Sequence, residues 1–259
     1  MLDRKNNLGR RLPVLLLGLL ALIPTLSGAN PAPAPALAGS AGIPGNPDGL
    51  SPQVLRAALD AVAAARARGV SGRGDRLTVI DYSLPSTTPR LWVLDLARGR
   101  VLFHELVAHG AGSGENYATQ FSNVVDSRET SLGLFLTAGT YEGGNGYSLK
   151  LRGLDPGVND RAEQRNIVVH GAPYVSAGFA SQHGRLGRSW GCPALPLAEA
   201  RPVIDAIKGG SFVFSYSASP GLPADMPRAG TVAKASTGSR SRSAAGAGVS
   251  EPARTTARR

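Results

Sequence analysis

Residues 166–195 read N-I-V-V-H-G-A-P-Y-V-S-A-G-F-A-S-Q-H-G-R-L-G-R-S-W-G-C-P-A-L. An apolar, β-branched run over 166–170 ends at His170 and predicts a strand. Pro173, Gly178, Gly184 and Gly187 then interrupt the chain, so the segment folds back as a loop instead of running on as a helix. It closes on Ser189-Trp190-Gly191-Cys192, a glycine-bounded turn that holds the chain's single cysteine. Beyond it, Leu197, Ala200, Val203, Ile204 and Ile207 recur at helical spacing up to Gly209-Gly210, which predicts a helix over 196–208. A strand ending in an imidazole and a turn carrying a thiol are thereby expected to face one another across one cleft. A lone thiol with a histidine available is a candidate nucleophile. A small buried cysteine that only fills space is the alternative.

Outward from this stretch the apolar period is that of strands. Short β-branched or aromatic runs fall at 77–83, 90–96, 101–108, 132–137, 147–154 and 212–217, separated by Gly, Pro, Asp and Asn. With 166–170 they make seven, and so many strands with little helix between them predict a mainly β sandwich or barrel. Ahead of them, Ser51-Pro52 reads as a helix start, and Val54, Leu55, Ala58, Leu59, Val62 and Ala65 form one face up to a stop at Gly69. This N-terminal helix, 52–68, is expected to pack on the domain, which then spans 51–218.

The ends of the 259-residue chain differ in composition. Residues 1–11 are basic, 12–26 are apolar, and small residues lead to Ala36-Leu37-Ala38. This predicts a secretory signal peptide over 1–38, with an uncleaved anchor as the alternative. The apolar stretch is short for a bilayer, so no stable membrane span is expected after cleavage. Residues 39–50, rich in Pro, Ala and Gly, read as a linker. Residues 219–259, with seven Lys or Arg against two Asp or Glu and few large apolar side chains, read as a disordered basic tail. The whole chain carries +10, of which +3 lies in 1–38 and +5 in 219–259, leaving +2 for 39–218. The folded part therefore presents no nucleic-acid surface. The tail is either solvated or a tether to anionic wall polymer or membrane surface.

H-G-A-P-Y at 170–174 followed by S-W-G-C-P-A-L at 189–195 resembles the signature of the YkuD-like L,D-transpeptidases of bacterial cell walls. V-A-H-G at 107–110, F-S-N at 121–123, S-L-G at 131–133 and L-R-G-L-D-P-G-V-N-D at 151–160 resemble the murein L,D-transpeptidase catalytic-domain branch, in order along about 77–217. The resemblance implies an exported enzyme that acts on peptidoglycan stem peptides through a Cys192 thioester. His170 would be its general base, oriented by the carbonyl of Gly171. L,D-carboxypeptidase activity from the same residues is an alternative. Gly191 and Cys192 N–H groups are expected to form an oxyanion hole. Ser189 would shape the turn. The common family pattern is S-H-G-C followed by an apolar residue and then Arg or Asn; here Trp190, Pro193 and Ala194 depart from it. These departures support a second class of function, a non-catalytic peptidoglycan-binding module with a vestigial thiol.

Other features qualify the site. An unpaired thiol in an oxidising compartment is a liability unless it is used. Pairing with His170 is expected to lower the thiol pKa. His183, nearer in sequence, is a competing base. Arg185 and Arg188 flank the thiol and are candidates for a substrate carboxylate, with Trp190 as an apolar wall; His109 reads as a satisfied turn histidine or as a residue at the cleft border. The glycine-rich 110–114 and 143–146 are expected to form cleft rims. H-E-L-V-A-H at 104–109 is one residue too long for a zinc helix and sits in a strand, where its histidines face opposite ways, so no metal is assigned. The chain is read as a monomer without cofactor.

Overall fold

A computed structural model of the chain describes residues 49–218. The signal peptide, nearly all of the linker and the tail lie outside the described residues. Leu50, placed by composition at the end of the linker, is fully buried.

The domain is mainly β, a nearly closed, barrel-like sheet of eight strands with an N-terminal helix and two later helices. The strands are β1 (Arg76–Asp81), β2 (Leu91–Asp95), β3 (Arg100–Glu105), β4 (Gly133–Gly143), β5 (Gly146–Gly153), β6 (Val168–Gly171), β7 (Ala194–Leu195) and β8 (Phe212–Tyr216). Their order is β3-β2-β1-β8-β4-β5-β6-β7. Neighbours run antiparallel except β1 with β8 and β6 with β7, which are parallel. Closure comes from the chain just past β3: Ala108 N donates to Ala194 O at 2.9 Å, bridging one edge of the sheet to the other.

The central strands β1, β2 and β8 are buried on both faces, and two helices pack on the sheet. Helix α1 (Pro52–Ala67) buries Val54, Leu55, Ala58, Val62 and Ala65 and rests against β1, β4 and β8. The Arg66 guanidinium lies 5.7 Å from the Phe212 ring centre. Helix α3 (Leu197–Ile207) puts Val203, Ile204 and Ile207 into the main core with Ile80, Val169, Leu195 and Val213. Each such side chain contributes about 1.5–3 kcal/mol over its exposed state.

Three elements differ from expectation. β4 runs on to Gly143 because its outer half pairs with β5 through a register shift near Thr137, and that half is exposed, so it has no apolar alternation to read. β7 is two residues long. Helix α2 (Ala177–His183) occupies part of the predicted loop; Ser176 Oγ caps it by accepting from Phe179 N at 3.1 Å, and Gly184 ends it in the left-handed region. It buries no residue, so no stripe announced it.

Arg90 ties the mouth of the barrel together. It is fully buried. Its Nε and Nη2 donate to Val107 O at 3.1 and 2.9 Å, its Nη1 donates to Leu84 O at 2.7 Å, and the guanidinium lies 5.1 Å from the Tyr82 ring centre. Burial brings its pKa down to about 10. Replacing it strands two carbonyls and opens a void, so Arg90→Ala is expected to lower stability by about 3 kcal/mol in urea unfolding. A loss below about 1 kcal/mol would contradict this role.

Candidate active site

The β6–β7 pairing builds the site. Its register sets His170 beside Ala194 and Gly171 beside Leu195. The turn before β7 therefore lies next to the start of β6, and Val168 N donates to Cys192 Sγ at 3.5 Å. A cleft of about 700 Å³ opens over this seam. Cys192, His170, Ser189, Trp190 and Arg188 line it, together with Asp126, Arg128, Asn145, Arg165, Asn166 and Tyr174.

His170 is nearly buried, and its Nδ1 lies 2.9 Å from Gly171 O. A carbonyl only accepts, so Nδ1 carries the proton and Nε2 keeps its lone pair. Burial lowers the His170 pKa, with the Gly171 bond working in the opposite direction. The imidazole is thus neutral and available as a base. No carboxylate among the cleft's lining residues orients it.

The Cys192 thiol points elsewhere. It donates to Asn166 O at 3.6 Å, and among the described residues no hydrogen bond joins it to His170. Burial raises the thiol pKa, while Val168 N–H and the Arg165 charge pull it down. The direction is opposite to the one expected from imidazole pairing, because in this arrangement desolvation outweighs both partners.

The turn is held by its own serine. Ser189 Oγ donates to Cys192 O at 2.6 Å and accepts from Gly191 N at 3.1 Å. The Gly191 N–H is therefore already engaged, and of the two expected oxyanion donors only the Cys192 N–H has no hydrogen-bond partner among the described residues. What Gly191 supplies is shape. Its φ is +118°, and a Cβ there would lie 2.7 Å from Glu129 O. Gly110 packs against it, since a Cβ on Gly110 would come within 2.8 Å of Gly191 Cα.

Two expected cleft residues lie elsewhere. His109 is buried beneath the rim, where Nδ1 takes a hydrogen bond from Arg90 Nη2 at 2.8 Å. Burial and the Arg90 charge bring its pKa down to about 4. Arg185 pairs with Glu115 at 2.8 Å and does not line the cleft. Arg188 does line it, also paired with Glu115, at 2.6 Å. His183 is exposed on α2, stacked on Phe179 with ring centres 4.1 Å apart, and lies outside the cleft lining. Of the glycine-rich rims, Asn145 in the β4–β5 turn reaches the cleft. Among the described residues no cluster of His, Cys, Asp and Glu is arranged to hold a metal ion, and no helix is long and apolar enough to cross a membrane.

Arg165 was not legible in the sequence. It donates to Ser122 O and Glu129 O, both at 2.6 Å, to Ser127 Oγ at 3.2 Å and to Ser131 Oγ, so it braces the whole 122–131 loop under the thiol. The motif residues F-S-N and L-D-P-G-V-N-D anchor that same loop. Asn123 donates to Asp160 Oδ1 at 2.7 Å, and Asn159 Nδ2 donates to Leu132 O and Leu134 O at 2.9 and 3.0 Å. Among the described residues, the non-glycine residues with positive φ are Asp126, Arg128 and Asn166, and all three line the cleft. Strained backbone of this kind persists only where its surroundings hold it, and it concentrates at working sites.

The thiol's surroundings fix how it reacts in the free protein. Alkylation of Cys192 by iodoacetamide should rise with pH to a midpoint above the ordinary value of about 8.5. Arg165→Met should move that midpoint further up, because Arg165 stabilises the thiolate. A midpoint below about 7 would contradict this arrangement.

Comparisons with known proteins address the same region. Residues 46–216 match the family model described as the L,D-transpeptidase catalytic domain. Among solved structures, the chain is similar to an LD transpeptidase in complex with imipenem, at 18% identity and a TM-score of 0.34, covering 55% of this chain and 59% of that one. An L,D-transpeptidase from Mycobacterium smegmatis matches at 16% identity and 0.34, covering 55% and 58%. One from Stackebrandtia nassauensis matches at 15% and 0.35, covering 67% and 70%. The chain thus spans about three fifths of the length of the first two. No curated protein matches it significantly. The family model covers well over half of the chain, in one continuous segment that contains both His170 and Cys192, and the chain belongs to the L,D-transpeptidase catalytic-domain family.

Proposed function

We propose that the protein is an exported cysteine L,D-transpeptidase acting on peptidoglycan stem peptides. The observation that carries this reading is a neutral His170, with Nε2 unprotonated, sharing one cleft with the chain's single thiol. The family acts on peptidoglycan, and the signal peptide read over 1–38 would deliver the enzyme to the periplasm or cell wall.

In the proposed reaction, rotation about the Cys192 side chain exchanges Asn166 O for His170 Nε2 as the thiol's acceptor. His170 takes the proton, and the sulfur adds to the carbonyl of a peptide bond between an L- and a D-centre. The Cys192 N–H donates to the developing oxyanion. As the C–N bond breaks, His170 returns the proton to the leaving amine, which departs as the terminal D-residue and leaves a thioester. An amine from a second stem peptide then attacks, His170 takes its proton, and the C–S bond breaks to restore the thiol. Ser189 and Gly191 hold the turn's shape, and Trp190 and Arg188 contact substrate. With water as the acceptor the same steps give an L,D-carboxypeptidase.

The thiol's raised pKa and its turn away from His170 favour a second reading, a peptidoglycan-binding module without catalysis. Incubation of the purified protein with tetrapeptide-bearing muropeptides, followed by mass spectrometry, separates the three. A thioester on Cys192 with cross-linked product is expected, and both should vanish in Cys192→Ala. Tripeptide product without cross-links would mean a carboxypeptidase. No adduct and no product, with muropeptide retained equally by both proteins, would leave the binding module.

A further inference from the structure

The cleft's three lining arginines are not equivalent. Arg188 is neutralised by Glu115 at 2.6 Å. Arg165 spends its N–H groups on the oxygens of the 122–131 loop. Arg128 is exposed, and among the described residues its guanidinium has no hydrogen-bonding or ionic partner; it lies 4.6 Å from the Trp190 ring centre. Trp190 is itself 72% exposed, unusual for an indole. A guanidinium stacked on an aromatic face keeps its in-plane N–H edge free, and that edge matches a carboxylate with two parallel hydrogen bonds.

The backbone beneath Arg128 is fixed. Its φ is +56°, which a side-chain-bearing residue adopts only under constraint. The constraint is visible: Arg128 O accepts from Gly112 N at 2.9 Å, and a Cβ on Gly110 would collide with it at 2.2 Å. The loop thus presents this arginine to the cleft in advance of any ligand. Asp126 is the one carboxylate among the lining residues, so the cleft's free charge is positive.

We infer that Arg128, supported by Trp190, binds the free α-carboxylate of the D-residue released in the first step. This rests on the proposed reaction. In a stem peptide that ends one residue past the scissile bond, only the amide nitrogen and one carbon separate the attacked carbonyl from that carboxylate. The thiol's attack therefore places the carboxylate on the cleft wall beside Cys192, and Trp190 stands two residues before it in the turn. The subsite makes a free terminal carboxylate a requirement of the donor, and it disfavours stems that are amidated at that carboxylate or continue beyond it.

The test compares one stem tetrapeptide ending in a free D-residue with the same peptide as its terminal carboxamide, following thioester formation by intact-protein mass spectrometry. The native protein should acylate from the acid about 10- to 100-fold faster in kcat/KM, the span of one lost charge-assisted contact. Arg128→Ala should reduce the acid to the carboxamide's rate while leaving the carboxamide's rate within about threefold. Arg128→Lys should keep part of the preference. Thermal melts that match the native protein would exclude misfolding. Equal acylation from both peptides by the native protein, or a full preference surviving in Arg128→Ala, overturns the subsite and leaves the thioester reaction standing. No thioester from either peptide overturns the reaction and the subsite together.

Discussion

The pairing of β6 with β7 covers two residues on each side, and the candidate site depends on it. Parallel strands cannot be joined by a tight hairpin, so a long connection must leave the sheet and return. Here that connection contains α2 and ends in the Ser189–Cys192 turn. Register then does the positioning: with His170 beside Ala194, the thiol two residues earlier has nowhere to sit except against Val168 and Asn166. The same strand accepts the Ala108 bridge that closes the barrel, so the closure of the fold and the assembly of the site are one event. Glycine at 191 and at 110 allows the two backbones to approach that closely.

Around this seam the electrostatics keep the thiol protonated and the imidazole neutral. Burial acts on both groups, raising the acid and lowering the base. A neutral pair is what a desolvated pocket favours before substrate arrives. Arg165 works against burial at the sulfur and also braces the loop that carries Arg128. One half-buried guanidinium thereby links the thiol to the cleft wall. Arg90 plays a comparable part at the other side of the turn, holding the 107–109 segment whose His109 carbonyl accepts from Ser189 N at 3.0 Å.

The sequence was most informative where burial imposes a period. The apolar runs at 77–83, 90–96 and 212–217 became β1, β2 and β8 with ends shifted by a residue or two, because both faces of those strands are covered. It was silent on the outer half of β4, on β7 and on α2, which are exposed, too short or without a buried face. Within the site, His170, Ser189, Gly191 and Cys192 were readable because one strand and one turn carry them. Arg128, Arg165 and Asn166 were not. Their positions follow from positive φ angles and from contacts to residues tens of positions away, and neither leaves a local pattern. His109 is the reverse case: its motif is local, and Arg90, distant in sequence, holds it as a satisfied histidine beneath the cleft.

In the proposed reaction His170 Nε2 serves the Cys192 sulfur once donor peptide is bound. Single-turnover acylation by a stem tetrapeptide, timed by rapid quench and intact mass, tests this most directly. His170→Ala should slow thioester formation by about 10²- to 10⁴-fold, the usual span for a lost general base, while His183→Ala acylates at the native rate. Acylation of His170→Ala at the native rate, or an equal loss in His183→Ala, would contradict it.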